Sequence, residues 1–442
     1  MMIRKVTILS ILLNLQLTPV SAEPQPLPQP LTLEQALSYA GETNSPELAT
    51  IYAREMALNA ESGLIEASDS TQVTLDGQIE WAEPLNSPGE WVDNHKASIS
   101  IRKSLYDFGR IEGNHTLNRV EQDALRNELI SARWQRREQI MTRFFNVLLA
   151  DRTADRNEEE MAGAFIQFDR IGERQKLGQA SDLEVLQKES HYQQVFLKRN
   201  RGIAQQRLAR SQLAIALNRA GDLPENLTTP ELPTLEFVLP EYELILNKVL
   251  SENRALYAMN RKIDAAQQEV SVISKGSLPS ISGEIVLADT IRPTGTSDRW
   301  RVGVKLSMPL YDGGSNRALL SKGRASIHKL QADRDALRAD LERMVLSEWL
   351  RLQELRQQAK AAMIELDYRE LYLDNSRAEY ELEFKTDLGN AMVKISEAQL
   401  EVERNRFQQA ISWEKLDALT NGAMADLSAQ AQLIKSANEG VQ

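Results

Sequence analysis

The sequence contains no cysteine, and only 6% of its 442 residues are aromatic. The first absence excludes a disulfide framework and a lipid-bearing cysteine. The few aromatic residues, together with 26% charged residues, argue against two or three ordinary globular domains and favour long helices packed side by side. We therefore expect helices that bury apolar stripes rather than whole faces.

Basic clusters, catalytic motifs and metal-ligand spacings are also missing. The formal net charge is −11, and an acidic chain without basic clusters does not favour nucleic-acid binding. The four histidines lie in four different predicted elements, and none has a Cys, His or carboxylate at ligand spacing. No Gly-rich phosphate loop or nucleophile motif occurs. The sequence therefore predicts no enzyme, no metal site and no cofactor.

Long hydrophobic runs are limited to one short stretch near the first residue. Residues 1–22 have the pattern of a secretory signal peptide, because Arg4 and Lys5 precede this apolar run. The small residues Val20-Ser21-Ala22 then offer a cleavage site. The run is shorter than the roughly 20 residues that a membrane-spanning helix needs. We expect an exported chain that can enter a membrane only with strands.

One unit occurs twice in the sequence. The motif Leu-Tyr-Asp-x-Gly stands at residues 105–109 and again at 310–314, and similar segments flank both copies. Each copy predicts a helix, two strands, a very long helix and a return helix. We place repeat 1 at residues 32–220 and repeat 2 at residues 241–422.

Proline-rich and polar segments surround the two repeats. A Pro-rich leader at 23–31 is expected to be extended and unpacked, and a Pro-rich linker at 221–240 separates the repeats. The polar tail at 423–442 is expected to be frayed.

The predicted strands alternate between apolar and polar residues. In repeat 1 they are expected at 71–81 and 96–106, before a helical hairpin at 108–220 with its tip near 174–182. In repeat 2 they are expected at 280–288 and 300–310, before a hairpin at 315–420 with its tip near 384–390. All four approach the roughly 9 to 11 residues that cross a bilayer when tilted. A two-faced sheet in a soluble protein shows the same alternation.

Four strands are too few to close a barrel in a membrane. The smallest such barrels have about eight strands, and an open edge in lipid leaves backbone groups unsatisfied. If the strands span a membrane, the chain must oligomerise, and three copies would supply twelve strands around a polar interior. The long helices would then reach about 100 Å away from the membrane.

These features together resemble the TolC family of bacterial outer membrane efflux proteins. The resemblance covers about Leu31 to Gly422 and includes the duplication, the two strand-to-helix junctions and the segment Leu177-Gly178-Gln179-Ala180-Ser181-Asp182-Leu183. It implies a mainly α fold with a membrane β-barrel: a homotrimer with a twelve-stranded barrel in the outer-membrane lipid, continued by a long periplasmic α-helical barrel. It also implies two partners, a periplasmic adaptor (membrane fusion protein) and an inner-membrane pump.

The expected function is therefore passive passage of substrates through the channel subunit of a tripartite export system. Small-molecule efflux and type I protein secretion use the same kind of conduit, so the sequence favours neither. A rival is a periplasmic coiled-coil adaptor or structural protein. Such an adaptor would carry one hairpin flanked by small β domains, whereas this chain has two hairpins and four isolated strands.

The two junctions have mainly a structural interpretation. Their aspartates can cap the following helices, their glycines permit the change from strand to helix, and their tyrosines suit a membrane interface. The residues are Tyr106, Asp107, Gly109, Pro309, Tyr311, Asp312, Gly313 and Gly314. The resemblance implies a proline at this junction, which repeat 2 has as Pro309 and repeat 1 replaces with Ser104.

The tip of the first hairpin has two interpretations. Gly178 can end one helix, and Ser181 with Glu184 has capping-box spacing for the next, so turn chemistry explains the sequence. The resemblance implies instead that adaptor hairpins dock at this turn. The candidate contacts are Leu177, Gly178, Ser181, Asp182 and Leu183.

The second tip departs from the family pattern, and its register is open. The resemblance implies that the tunnel closes near this tip, where three-fold symmetry triples acidic side chains. Asp387 and Glu397 are the candidates for such a ring, with solvated helix charges as the alternative.

Overall fold

The structure, a computed structural model, describes residues 26–42, 45–83, 88–232, 236–291, 299–381 and 388–439. The predicted signal peptide and the candidate Asp387 lie outside these ranges, as does most of the second hairpin tip. Within them, no helix has the length and hydropathy required to cross a membrane.

Two helical hairpins and several shorter helices make up most of the described chain. The helices are α1 Leu33–Ser38, α2 Pro46–Asp69, α3 Arg110–Lys176, α4 Asp182–Ala216, α5 Tyr242–Glu252, α6 Arg254–Ser274, α7 Ser315–Glu381, α8 Leu388–Leu419 and α9 Met424–Glu439. Both α3 and α7 have 67 residues, which corresponds to about 100 Å of helix.

The first helix of each repeat is broken in two, where one continuous helix was expected. In repeat 1 the Ser45 side chain accepts a hydrogen bond from the Leu48 backbone N–H and starts α2. In repeat 2 the break falls at Asn253, whose side chain accepts hydrogen bonds from the first turn of α6 and donates to the Leu419 carbonyl. In both repeats a capping side chain therefore starts the second of the two helices.

Four long strands form one antiparallel sheet that joins the repeats, and two short strands form a separate pair among the described residues. They are β1 Gln72–Gln78, β2 Trp81–Ala82, β3 Val92–Asp93, β4 His95–Tyr106, β5 Ser280–Ile291 and β6 Trp300–Ser307. The order in the sheet is β1-β4-β5-β6, and the short pair β2-β3 continues the first hairpin in the same register. The strands β1 and β6 are its two edges.

Three strands end at a residue that differs from the sequence-based prediction. The strand predicted at 71–81 ends at Gln78, with the separate pair β2-β3 beyond it, and the strand predicted at 280–288 continues to Ile291. The strand predicted at 300–310 ends at Ser307, because Pro309 has no N–H to give to the ladder.

The helices are arranged in the same order as the strands. Close to the sheet α3 packs against α2 and α6, and α6 packs against α7; farther away α3 packs against α4 and α8, and α8 packs against α7. The layers therefore run α2-α3-α6-α7 and α4-α3-α8-α7. One border of the chain is formed by β1, α2 and α4, and the other by β6 and α7.

Two hydrophobic cores hold the helices together at mid-length. The first contains Phe144, Phe145 and Leu213, and the second contains Val345, Trp413 and Leu416. The rings of Phe145 and Phe407 stack at 4.5 Å with an interplanar angle of 3°, which joins the hairpin of repeat 1 to α8.

The described part of the leader and the tail are both packed, contrary to prediction. Leu31 is fully buried and pairs with Leu227 of the linker, where it exchanges backbone hydrogen bonds of 2.9 and 3.0 Å with Asn226 and Thr228. The tail forms α9, whose first residue Met424 is buried and donates its N–H to Asp417 Oδ1 at 3.0 Å. Apolar burial holds both segments, with backbone hydrogen bonds to the linker for the leader and a capping hydrogen bond for the tail.

Candidate functional site

The two strand-to-helix junctions have the same hydrogen-bond pattern. In repeat 1 the carboxylate of Asp107 accepts from the N–H of Gly109 at 3.0 Å and of Ile111 at 2.7 Å. In repeat 2 Asp312 accepts in the same way at 2.9 and 2.7 Å, from Gly314 and Asn316. The hydrogen bonds from Asn316 and Gly314 lower the pKa of the Asp312 carboxyl. Each aspartate thus satisfies free N–H groups at the start of a long helix.

Both junctions use two successive left-handed residues, but with different side chains. Repeat 2 has Gly313 and Gly314 with φ of 68° and 86°, whereas repeat 1 has Phe108 and Gly109 with φ of 58° and 77°. A left-handed conformation costs a non-glycine residue about 1 kcal/mol. The Phe108 ring lies edge-on to Tyr106 at 4.7 Å, and this contact offsets part of that cost.

The replacement of a junction proline by Ser104 has a visible consequence. In repeat 1 the strand continues past Ser104 to Tyr106, with an irregularity in its pairing to β5 between these two residues. In repeat 2 the strand stops before Pro309, and Tyr311 is 89% exposed. The serine retains an N–H that the ladder can use.

The sheet has one apolar and one polar face. One apolar row crosses all four long strands through Val73, Ile101, Ile285 and Val302; the neighbouring polar row runs through Gln72, Arg102, Glu284 and Gly303. The apolar side chains are exposed in the single chain, among them Val73 at 66% and Val302 at 75%. A monomer with this much exposed apolar sheet is incomplete in water.

Aromatic residues mark the two ends of the apolar face. Trp81, Trp91 and Trp300 lie at the end away from the helices and Tyr106 and Tyr311 at the helical end, all of them exposed. The 12 residues of β4 span about 40 Å, which at a tilt of 45° gives roughly 28 Å along the membrane normal. Aromatic belts at this separation match a bilayer's two interfaces.

The first hairpin tip is an ordered turn. Gly178 has a φ of 68°, and hydrogen bonds from the N–H groups of Gly178 and Gln179 to the carbonyls of Gln175 and Arg174 close α3 in a Schellman motif. Ser181 and Glu184 form a capping box at the start of α4. The hydrogen bonds from Ser181 lower the pKa of the Glu184 carboxyl.

The candidate contacts at this tip therefore separate into two groups. Gly178 and Ser181 build the turn, and Asp182 accepts a hydrogen bond of 2.7 Å from the Gln175 side chain across it. Leu177 and Leu183 are 72% and 76% exposed and flank the turn. These two leucines are the apolar surface that the tip presents.

The acidic candidate Glu397 belongs to an ion-pair cluster between α3, α4 and α8. Its carboxylate accepts from Arg156 at 3.2 Å and from Lys394 at 2.8 Å, while Glu160 pairs with Arg156 at 3.6 Å and with Lys198 at 2.6 Å. We call these five residues the helix-clamp cluster. Sequence reasoning missed four of them, although the spacings 156–160 and 394–397 favour ion pairs on one helix face.

The environment of Glu397 keeps it ionised. Burial opposes its charged form, but the hydrogen bond from Lys394 and the positive charges of Lys394, Arg156 and Lys198 outweigh burial and lower the pKa of this carboxyl. Glu397 is therefore an ion-pair partner within the chain as well as a candidate for an acidic ring.

Replacing Glu397 with glutamine should lower the thermal unfolding temperature at neutral pH, because Arg156 then loses a carboxylate partner. A carboxyl whose pKa is lowered by folding contributes stability above its unfolded pKa of about 4.5, and this contribution is lost as the pH falls through the folded pKa. The difference between wild type and Glu397→Gln should therefore shrink below about pH 4.5. Melting curves followed by circular dichroism from pH 3 to 8 measure it, and a difference independent of pH would contradict it.

Within the part of the chain that the structure describes, no group of three or more His, Cys, Asp or Glu residues is placed to hold a metal ion.

The fold is that of solved outer-membrane channels. The chain matches the CmeC outer membrane channel of Campylobacter jejuni with a TM-score of 0.74, 14% identity and coverage of 91% of this chain and 88% of that one. For VceC of Vibrio cholerae the TM-score is 0.68, at 15% identity, covering 89% and 96%. For the open state of MtrE of Neisseria gonorrhoeae it is 0.66, at 14% identity, covering 89% of each.

A family model described as "Outer membrane efflux protein" matches residues 245–422, which is repeat 2 from α5 to the end of α8. No curated protein sequence matched the chain. Residues 245–422 therefore carry an outer membrane efflux protein domain, and the fold agrees with it, which confirms the resemblance that the sequence predicted. The solved channels are described as outer-membrane proteins, which agrees with the location that the sequence predicts for this chain.

Proposed function

We propose that three copies of the chain form a closed channel through which substrates leave the cell passively, as the outer-membrane part of a tripartite export system. The observation that carries this proposal is the sheet β1-β4-β5-β6, which has an apolar outer row, a polar inner row and two unpaired edges. Twelve strands from three copies leave no edge, and their polar faces line the interior.

The two unpaired edge strands would make a single copy of the chain unstable in a bilayer. Each unpaired backbone group in the hydrocarbon region costs several kcal/mol, and both β1 and β6 present a row of them. Pairing β6 of one copy with β1 of the next removes this cost at every subunit boundary. The contact is head-to-tail, so it closes only as a ring.

The helical borders support the same closure. Large apolar side chains remain exposed on α4 and α7, which lie at opposite borders of the chain. They include Leu186, Leu197 and Ile215 on α4, and Leu350, Ile364 and Leu371 on α7. In a ring, α4 of one copy would face α7 of the next, and the helices would form a continuous periplasmic wall about 100 Å long.

The rival interpretation, a periplasmic adaptor or structural protein, accounts for fewer of these features. Two helical hairpins emerge from one end of a single four-stranded sheet. A soluble protein would have to cover the exposed apolar rows of this sheet with another layer.

We assign adaptor docking to the first hairpin tip and substrate gating to the region of the second. The exposed leucines Leu177 and Leu183 would receive the adaptor, and an inner-membrane pump would supply the energy. Asp387 and Glu397 would contribute negative charge near the periplasmic entrance. Substrate choice would then rest with the partners, and both small-molecule efflux and type I secretion are compatible with the conduit.

The purified full-length protein should form trimers that resist dissociation in detergent, and these should conduct ions across planar bilayers. Conductance follows from a water-filled interior, and a polar face of twelve strands provides one. Single-channel recording together with mass measurement of the detergent-solubilised particle tests the proposal. A monomeric particle without channel activity would overturn it.

The same recordings test the acidic entrance. Asp387→Ala and Glu397→Ala should each reduce cation preference and block by multivalent cations, because three-fold symmetry removes three charges at once. Unchanged selectivity and block in both variants would leave the two residues as ordinary helix charges.

A further inference from the structure

The two edges of the sheet carry opposite charges on the polar face. On β6 the polar-face residues include Arg301 and Lys305, while β1 has Asp76 and the same face continues to Glu80, which accepts a hydrogen bond of 2.7 Å from Gln78. Between β4 and β5 the polar face already contains one such pairing, Arg102 to Glu284 at 2.9 Å. Asp76, Arg301 and Lys305 have no ion-pair partner among the residues of the chain that the structure describes.

We propose that β6 of one copy pairs with β1 of the next in one defined register, with Ser307 opposite Asp76 and Gly303 opposite Glu80. We call this contact the subunit seam. It places Lys305 between two carboxylates of the next copy and Arg301 diagonal to Glu80, so that an ionic ladder lines the interior. The inference rests on the ring closure proposed above and adds the partner surface and its register.

The register follows from the duplication. The first hairpin pairs Gln72 with Arg102, and the second pairs Ser280 with Ser307, so these are equivalent positions in the two repeats. Between the repeats, Arg102 lies opposite Glu284, four residues after Ser280. The equivalent contact between copies puts Ser307 opposite the residue four after Gln72, which is Asp76.

Both faces of the sheet agree with this register. On the apolar face it puts Val304 opposite Ile79 and Val302 opposite Trp81. On the polar face it puts Lys305 opposite Gln78, with Asp76 and Glu80 on the two diagonals. Side chains at such positions are about 5 to 8 Å apart, within reach of a lysine. A slip of one residue would turn the apolar row of one strand towards the interior.

Charge complementarity selects a second copy of this chain as the occupant of the edge. A strand from an unrelated protein would need two carboxylates four residues apart on one face, as Asp76 and Glu80 are, and a matching apolar row on the other face. The opposite edge of the same sheet has both features, and a like-charged pairing of β6 with β6 would bring Arg301 and Lys305 together with their own copies.

The absence of cysteine makes the seam directly testable by disulfide formation. Successive opposite pairs in an antiparallel ladder alternate between wide and narrow spacing, so one polar-face pair and one apolar-face pair are needed. We expect oxidation of outer membranes containing Asp76→Cys/Ser307→Cys or Ile79→Cys/Val304→Cys to give covalent dimers and trimers with at least one pair. The register controls Asp76→Cys/Lys305→Cys and Ile79→Cys/Val302→Cys should lose this product.

Each of the other outcomes of the cross-linking experiment would contradict a different part of the proposal. Cross-linking of the control pairs, with trimers intact, would overturn the register but leave the ring. A cysteine-free wild type that forms no trimer would overturn the ring itself. Adducts of a mass other than a multiple of the chain would assign the edge to another protein.

A charge exchange tests the ionic ladder separately. Lys305→Asp places a third carboxylate beside Asp76 and Glu80 of the next copy, and the temperature at which the trimer dissociates should fall. Adding Asp76→Lys should restore most of that loss, because the two charges have changed places across the seam. A decrease that the second substitution deepens would overturn the pairing of these side chains.

Discussion

Replacing Leu177 and Leu183 together with glutamate should weaken binding of the adaptor to the trimer by at least about 30-fold. Each leucine is more than two-thirds exposed beside the turn, at 72% and 76%, and apolar anchors of this kind contribute about 2 kcal/mol or more when they are buried in an interface. Glutamate would also have to lose its hydration on docking. Surface plasmon resonance between the purified trimer and a periplasmic adaptor from the same organism measures the change.

The matched control is Ser181→Ala in the same turn. It removes the hydroxyl that caps α4, at a cost of about 1 kcal/mol to the turn, and leaves the leucines in place. Adaptor affinity should change little in this variant. Equal losses in both variants would mean that turn geometry, rather than the apolar surface, determines binding, and full binding by the leucine variant would remove the tip from the interface.

Replacing Phe145 with alanine should destabilise the helical region by about 3 to 5 kcal/mol. The side chain is completely buried, stacks on Phe407 of α8 at 4.5 Å and touches Phe144 at 6.3 Å between ring centres. Its loss leaves a cavity where repeat 1 meets the second hairpin, and neighbouring helices can fill it only partly. Denaturant unfolding followed by circular dichroism measures the difference.

Two further variants separate cavity formation from other effects. Phe145→Leu keeps most of the buried volume and should recover more than half of the loss. Phe165→Ala removes the same number of atoms from a position on the same helix that is 48% exposed, and it should cost far less. A loss at Phe165 as large as that at Phe145 would contradict the assignment of the core.

The features that the sequence predicted well depend on residues close together in the chain. Asp107 and Asp312 accept hydrogen bonds from N–H groups two and four positions later, and the two residues of the Ser181–Glu184 capping box are three positions apart. Strand alternation is likewise a property of neighbouring residues. Such patterns predicted the junctions, the first tip and the two faces of the sheet without any knowledge of tertiary contacts.

The features that the sequence missed depend on distant partners. Arg156 and Glu397 are 241 positions apart, so the helix-clamp cluster exists only because α3 and α8 are packed together. The proline content of the leader predicted an unpacked segment, but Leu31 pairs with Leu227 of the linker. The polar tail becomes α9 because Asp417 and a buried Met424 hold its first turn.

The sequence by itself determined the duplication, the strand-to-helix junctions and the resemblance to outer membrane efflux proteins, because repeated motifs and local hydrogen bonds involve residues that are close together in the chain. Only the tertiary structure decided the order β1-β4-β5-β6, and with it which strands are edges. The physical reason is that strand pairing between the repeats joins residues about 180 positions apart, such as Arg102 and Glu284, and no local pattern specifies that partner. That pairing exposes opposite charges on β1 and β6.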